Sequence, residues 1–439
     1  MDFLLLQHIE DFQEFLFVDE LYDALAQRLG KENVTALGES AEGHPLFCGK
    51  LGHGKENALI FGFPHPNEPV GSLTCLSLVT LIQKNKSLQE RFTWYIIPCA
   101  DPDGAKLNEG WFKGKFSIKK YAYHFYRSKP SLQTDWSFPV KYKDYVFNNP
   151  PANVRALQQL IEKIKPRLVY PLHNAGFGGA YFFVTPPVPE LFFDDLITLC
   201  HDLAIPMDLG EPEAPFIQEL KKPVFKDISF SDYYEYYKKA GIDPTKILDY
   251  GTTSIDFARQ YHKRFFGLVG EIPYIYDEKI ADEKQTQHTR KENNLEVLTI
   301  HKENLTFIEE VLQQKNLNKQ SLFYTLIETV VHYLKNEVKS AEITLEKPEY
   351  QAKATVAETF NTQVIIRFYA SLILGELRRL LLASPHTKEN ILLQKKIEER
   401  IDVLIASIEK YSTYKILPLK KLVQLQLGCL LIAIDYLST

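Results

Sequence analysis

Ala58-Leu-Ile-Phe-Gly-Phe-Pro-His65-Pro-Asn-Glu68-Pro is the stretch on which the reading of this chain turns. A short apolar run stops at Gly62 and Pro64 and at once delivers a histidine and a carboxylate. That is how a buried strand hands metal ligands to the loop at its carboxyl end. The His-x-x-Glu spacing alone does not discriminate, because His53-Gly-Lys-Glu56 and His386-Thr-Lys-Glu389 repeat it without a buried-looking strand before them. Position rather than pattern singles out His65 and Glu68.

Working outward, apolar residues recur at helical spacing from Gly71 to Lys84, and Phe92 to Pro98 predicts a second buried strand closed by a turn at Asp101-Pro-Asp-Gly104. A strand-helix-strand unit of this kind predicts a parallel sheet. Upstream, the segment 10–30 predicts a helix that stops at Gly30, and Val34–Gly38 with Pro45–Leu51 predicts a hairpin around Glu42-Gly43. Downstream, 106–151 lacks regular periodicity and reads as functional loops, whereas Asn153–Lys165 reads as a helix. Leu168-Val-Tyr-Pro-Leu-His173 is then another buried strand that ends on histidine. Tyr181–Val184 and Gly267–Tyr276 read as further strands, with Pro-rich loops between them. The polar run from Asp277 to Asn294 has the composition of an exposed linker. The expected organisation is a catalytic domain over 1–278, a linker over 279–294 and an α-helical domain over 295–439.

Composition narrows the function classes. The chain has 439 residues, 45% of them hydrophobic and 13% aromatic, enough for a large core. A formal net charge of −5, with Lys and Arg scattered among Asp and Glu, leaves no cationic footprint for nucleic acid or a membrane surface. Five widely spaced cysteines, without C-x-x-C spacing, argue against a disulfide framework or a cysteine metal site and for a reducing compartment. Asp2 and the polar Gln7, His8 and Glu10 do not make a secretory signal. The apolar stretch 422–437 is interrupted by Gln424, Gln426 and Asp435 and is too short to span a bilayer. The expected location is the cytoplasm.

A hydrolytic zinc site needs about three protein ligands and one open position for water. His65, Glu68 and His173, each at the end of an expected strand, meet that need. The surrounding sequence resembles the zinc carboxypeptidases of peptidase family M14 through motifs in the family's order. Gly38-Glu-Ser-Ala-Glu-Gly43 is similar to the family's hairpin motif, His65-Pro-Asn-Glu68 to its first two zinc ligands, and Asp101-Pro-Asp-Gly104 to its N-P-D-G turn. His173 is similar to its third ligand, and Ser254-Ile-Asp256 with Gly267-Leu-Val-Gly-Glu271 to the segment that presents its catalytic glutamate. The resemblance covers roughly residues 30–278.

The resemblance implies an α/β fold: a mixed, mostly parallel eight-stranded sheet between helices, here followed by the α-helical domain. It implies one zinc ion held by His65, Glu68 and His173, with Glu271 as general base and Arg127 as the cation that holds the developing oxyanion. Tyr250 stands near the place of the family's substrate-contacting tyrosine but two residues out of register, and a packing role fits it equally. The structural alternatives are a core histidine at 173, a strand-end ion pair at Glu271 and a solvated loop arginine at 127. The implied activity is hydrolysis of an amide bond in a peptide. Two alternatives stay open: a deacylase or amidase acting on an acylated amino acid or modified peptide, and an inactive relative that serves as a scaffold. A homodimer through the helical domain is a further expectation.

One departure concerns specificity. Family members carry an Asn-Arg pair that grips the substrate's terminal carboxylate. Aligning Gln133-Thr-Asp135-Trp136-Ser-Phe138-Pro on its phenylalanine places Asp135 and Trp136 at that pair, as substrate-binding residues, and Gln133 where an aspartate orients a zinc histidine. An acid there repels a carboxylate, unless Lys129 or Lys141 reaches the site instead.

Overall fold

Ala58, Leu59, Ile60 and Phe61 are fully buried, which places their strand in the middle of a sheet covered on both faces. The computed structural model describes residues 3–438 apart from Glu211 and Glu346. Met1, Asp2 and Thr439, which the sequence reading assigned to the terminal segments, lie outside the described residues. One mixed sheet holds β1 (Val34–Glu39), β2 (Pro45–Leu51), β3 (Glu56–Phe61), β4 (Phe92–Ile97), β5 (Leu168–Pro171), β6 (Tyr181–Val184), β7 (Glu219–Lys221), β8 (Val224–Lys226) and β9 (Phe266–Glu271). Their spatial order is β1-β2-β4-β3-β5-β9-β6-β8-β7. The central four, β4-β3-β5-β9, run parallel, and antiparallel pairs β2-β4 and β9-β6 flank them. The sheet has nine strands rather than eight, because Glu219–Lys221 and Val224–Lys226 extend its edge from a stretch expected to be loops. Each is only three residues long, too short for a period-2 pattern to show in sequence.

The helices are α1 (Val18–Leu29), α2 (Val70–Lys84), α3 (Pro102–Asn108), α4 (Ile118–His124), α5 (Ala152–Ile164), α6 (Glu190–Asp202), α7 (Arg290–Leu312), α8 (Leu322–Thr344), α9 (Ile366–Leu382), α10 (Lys388–Tyr411) and α11 (Leu419–Tyr436), with shorter turns between them. Leu21 and Leu25 of α1, Leu73 and Leu76 of α2 and Leu196 of α6 bury on one face of the sheet. Leu157 and Ile161 of α5 bury on the other, against Leu59, Phe61 and Val169. α7 to α10 share a separate apolar cluster that includes Ile308, Ile327, Leu377, Ile397 and Ile401.

Two features depart from a helical domain tethered by a linker. First, the stretch 279–294 is built of secondary structure: the turn Glu278–Ala281, the strand Gln285–Thr289 paired antiparallel with Lys353–Thr355, and the start of α7. Its polar residues are caps and edge-strand positions; Thr289 and Glu292, for instance, form a capping box. Composition alone cannot tell such residues from a linker. Second, α11 does not stay with α7 to α10. Leu422, Leu425, Cys429 and Leu430 join the same core as α2 and α6, and a Cβ at Gly428 would stand 2.5 Å from Leu199. The last helix thus completes a layer of the first sheet.

The five cysteines are buried and unpaired. Among the described residues no helix is long and apolar enough to cross a membrane.

Candidate metal centre and its cavity

Phe61 stands opposite both Ile97 and Pro171, so the carboxyl ends of β3, β4 and β5 come out level. Register therefore brings the loop after β3 and the loop after β5 together. β3 ends in a sharp turn in which Phe63 takes φ 52°, a left-handed conformation uncommon for a side chain of this size. The turn presents His65, and Glu68 follows just before α2. β9 runs parallel to β5 and carries Glu271 as its last residue to the same edge.

The result is a buried triad. Ligand atoms of His65, Glu68 and His173 all lie within 4.8 Å of one another. Nδ1 of His173 is 3.0 Å from Oε2 of Glu68 and 3.5 Å from Oε1 of Glu271. The Nδ1 atoms of His65 and His173 are buried and make no hydrogen bond among the described residues. Buried ring nitrogens left unpaired are costly unless something outside the protein occupies them. Two imidazole Nδ1 atoms converge there on the Glu68 carboxylate, a donor set of the kind that holds zinc.

The remaining atoms of these side chains are tied down. Asp135 Oδ2 is 3.0 Å from His173 Nε2, and Asp135 Oδ1 accepts the Ser254 amide at 2.7 Å. Glu68 Oε2 accepts the Asn174 amide at 3.3 Å, and Glu68 Oε1 pairs with Arg127 Nη1 at 3.2 Å. Arg127 Nε donates to Gln133 Oε1 at 3.2 Å. The His173 carbonyl accepts from Gln426 of α11 at 2.8 Å, and Gln426 in turn accepts from Thr74 of α2 at 2.6 Å. Ser40 and His44 of the first hairpin both meet Asp103, at 2.5 and 2.7 Å, which joins the hairpin motif to the Asp101–Gly104 turn.

Electrostatics follow from this crowding. Burial holds His65 well below the usual imidazole range, assisted by Arg127 and His173. Burial also disfavours a charged His173, but the carboxylates of Glu68, Asp135 and Glu271 outweigh it and raise that ring well above the usual range. Burial, followed by the charge of Glu68, pushes Glu271 up to about 8. A cation among these groups offsets the repulsion between Glu68 and Glu271 and favours their ionised forms.

The triad opens into a cavity of about 840 Å³. Arg127, Trp136 and Glu271 line it, as do Lys129, Asp208 and Glu213. The helices after β9 supply the facing wall through Leu326, Val330, Tyr333, Ile366, Tyr369 and Ile373. Arg290 also faces the cavity, but its guanidinium is paired with Glu358 at 2.6 Å.

The three expected substrate residues have different surroundings. Asp135 lines the cavity but has both oxygens committed, to His173 and to the Ser254 amide, which is the arrangement of an aspartate that orients a histidine. The phenylalanine alignment was out of register by two, and Gln133 braces Arg127 instead. Trp136 reaches the cavity, with its ring edge-to-face against Tyr233 and Tyr250 at 5.5 and 5.4 Å. Tyr250 is buried in that aromatic cluster and does not line the cavity, in keeping with its packing reading. Sequence reasoning missed Asn174, Tyr369, Glu376 and Gln426; the last three lie in helices outside the recognised motifs, where nothing local marks them.

Residues 19–174 match the model of the zinc carboxypeptidase family, Peptidase M14. The match includes His65, Glu68, Arg127 and His173 and stops short of Glu271. Among solved structures, the chain is similar to a candidate metallopeptidase from Shewanella amazonensis, at 15% identity over 58% of this chain and 84% of that one, TM-score 0.41. It is also similar to carboxypeptidase A from Helicoverpa armigera, at 12% identity over 59% and 65%, TM-score 0.37. Bovine thrombin-activatable fibrinolysis inhibitor, in complex with a tick carboxypeptidase inhibitor, is similar at 14% identity over 58% and 86%, TM-score 0.34. No curated protein sequence matches the chain. From α1 to the third ligand position, residues 19–174 are similar to the zinc carboxypeptidase family M14.

Proposed function

We propose that this protein is a zinc-dependent hydrolase of amide bonds, holding one zinc ion through His65, Glu68 and His173. The observation that carries the reading is the convergence of the buried Nδ1 atoms of His65 and His173 on Glu68, with His65 Nδ1 left without a hydrogen bond among the described residues. Bound there, zinc lowers the pKa of a water and polarises the carbonyl to be attacked. Glu271, 3.5 Å from His173, is placed to take the proton of the attacking water and pass it to the leaving nitrogen. Arg127 faces the same cavity and is 36% exposed, so its guanidinium can turn from Glu68 to the oxygen on which negative charge grows. The substrate is a peptide or acylated amino acid, and the five unpaired cysteines suit a cytoplasmic enzyme.

A second reading, hydrolysis of a substrate without a free terminal carboxylate, is favoured by the cavity's cations. No arginine occupies the place of the family's carboxylate grip, Arg290 is paired with Glu358, and Lys141 lies outside the lining. Lys129 lines the cavity as the remaining candidate. The test is a screen of zinc-loaded protein against peptides with free and blocked C-termini and against acyl-amino acids, read by mass spectrometry. Turnover that disappears in Glu271→Gln supports the reading, and no turnover on any class overturns it.

A further inference from the structure

Arg127 sits in a segment that does not hold itself. Residues 125–129 have no strand or helix of their own. Asn108 holds the Tyr126 amide and carbonyl and Gln133 holds the Ser128 carbonyl, while the Arg127 amide itself is held by α9, more than two hundred residues later in the chain. The Arg127 amide donates to Oε1 of Glu376 at 2.8 Å. One turn on, Arg379 Nη1 donates to the carbonyls of Leu107, His124 and Phe125 at 3.0, 3.0 and 2.9 Å. Between α9 and α4 the backbones touch: a Cβ on Gly375 would stand 1.8 Å from the Ala122 carbonyl oxygen. The same helix turns Tyr369 into the cavity. That ring is 43% exposed, its hydroxyl makes no hydrogen bond among the described residues, and its electrostatic neighbours are Arg127, Glu271, Glu213 and Glu68.

We propose that α9 is a working part of the active site: Glu376 is a positioning residue that fixes Arg127, and Tyr369 is a substrate-contacting residue that offers a free phenol to the bound amide. The proposal rests on the reading of the site as an amide hydrolase. Glu376 is buried, and burial pushes its carboxyl up to about 8, so at neutral pH it is largely the uncharged acid. A neutral carbonyl oxygen at that position is enough to accept the amide, which makes glutamine a faithful replacement and leucine a deletion of the acceptor.

The test separates the clamp from the chemistry. Amide hydrogen exchange of zinc-loaded protein reads the clamp directly: Glu376→Leu is expected to speed exchange at Arg127 about tenfold or more, since a lost hydrogen bond of about 1.4 kcal/mol is a tenfold change in opening. Glu376→Gln is expected to leave exchange near wild type. Both variants are expected to keep one equivalent of zinc. On a substrate turned over by the wild type, Glu376→Leu lowers kcat at least tenfold with KM within about twofold, while Glu376→Gln restores kcat. Tyr369→Phe leaves zinc content and Arg127 exchange unchanged and raises KM severalfold. Unaltered exchange in Glu376→Leu overturns the clamp, even if the wild type hydrolyses nothing. Wild-type KM in Tyr369→Phe overturns the contact. Faster exchange in Glu376→Leu combined with an inactive wild type leaves the clamp standing and refutes the hydrolase reading instead.

Discussion

Asp135 Oδ2 lies 3.0 Å from Nε2 of His173 while its other oxygen holds the Ser254 amide at 2.7 Å, so the carboxylate is fixed at both ends and turns Nδ1 of the ring toward Glu68. A carboxylate behind a ligand histidine sets the ring's tautomer and raises its basicity. Asp135→Ala is therefore expected to weaken zinc binding by about tenfold to a hundredfold without unfolding the protein. Chelator competition measures it, and wild-type affinity in the variant would assign Asp135 a purely structural place.

Removing a ligand and removing the base have different signatures. His65→Ala or His173→Ala is expected to empty the site, because one of three protein donors is gone. Glu271→Gln is expected to retain zinc and lose turnover, since the amide cannot accept the water's proton. Metal analysis after dialysis distinguishes the cases; stoichiometric zinc in all three variants contradicts the ligand assignment.

Asp101, the N-cap of α3, gives a pH-dependent prediction. Its Oδ1 accepts the Gly104 amide at 2.9 Å, yet burial pushes its carboxyl up to about 7 from 3.8. The folded state therefore binds this proton more tightly than the unfolded chain, and stability contributed by the neutral acid is lost as pH rises from about 4 through 7. Asp101→Asn keeps the capping oxygen and removes the titration. It is expected to raise unfolding stability at pH 8 by on the order of 3 kcal/mol, with little change at pH 4. Urea titrations at both values decide it, and an equal shift at the two pH values would point to packing instead.

In an exposed helix, Gly→Ala stabilises by about 1 kcal/mol. At Gly375 of α9 the sign reverses, because the new Cβ would meet the Ala122 carbonyl oxygen at 1.8 Å and a backbone atom cannot step aside cheaply. Overpacking of this kind costs about 1–3 kcal/mol, which outweighs the propensity gain. Gly375→Ala is expected to lower the melting temperature, and a rise would show that α9 and α4 separate easily.

Comparing one peptide as free acid and as amide tests the second reading of substrate choice. The amide is expected to be turned over at least as fast as the acid, since among the described residues no unpaired arginine fork faces the cavity away from Arg127. If the free acid is strongly preferred, Lys129→Ala should abolish the preference.

The centre of this molecule was readable because its signals are local. Ala58–Phe61 is an unbroken apolar run, and a strand buried on both faces has to be one. His65, Glu68 and His173 stand directly after such strands, so naming the strands located the triad. Asp135 was misplaced because its assignment depended on a two-residue register in an irregular segment, where no periodicity anchors an alignment. Glu376, Tyr369 and Gln426 were invisible for another reason. Each lies on a helix whose apolar spacing predicts burial but not the partner it is buried against. The stretch 279–294 was misread because caps and edge strands share their composition with linkers.

The hydrogen bond from Gln426 to the His173 carbonyl links the site to the last helix of the chain. During synthesis, His65, Glu68 and His173 leave the ribosome long before α11 exists. Until then the sheet face against α2 and α6 lacks the helix that covers it, and the His173 loop lacks its brace. Completion of the candidate metal centre therefore waits on a helix that follows its last ligand by about 250 residues in sequence. A chain lacking α11 would carry His65, Glu68 and His173 but not the brace on the His173 loop.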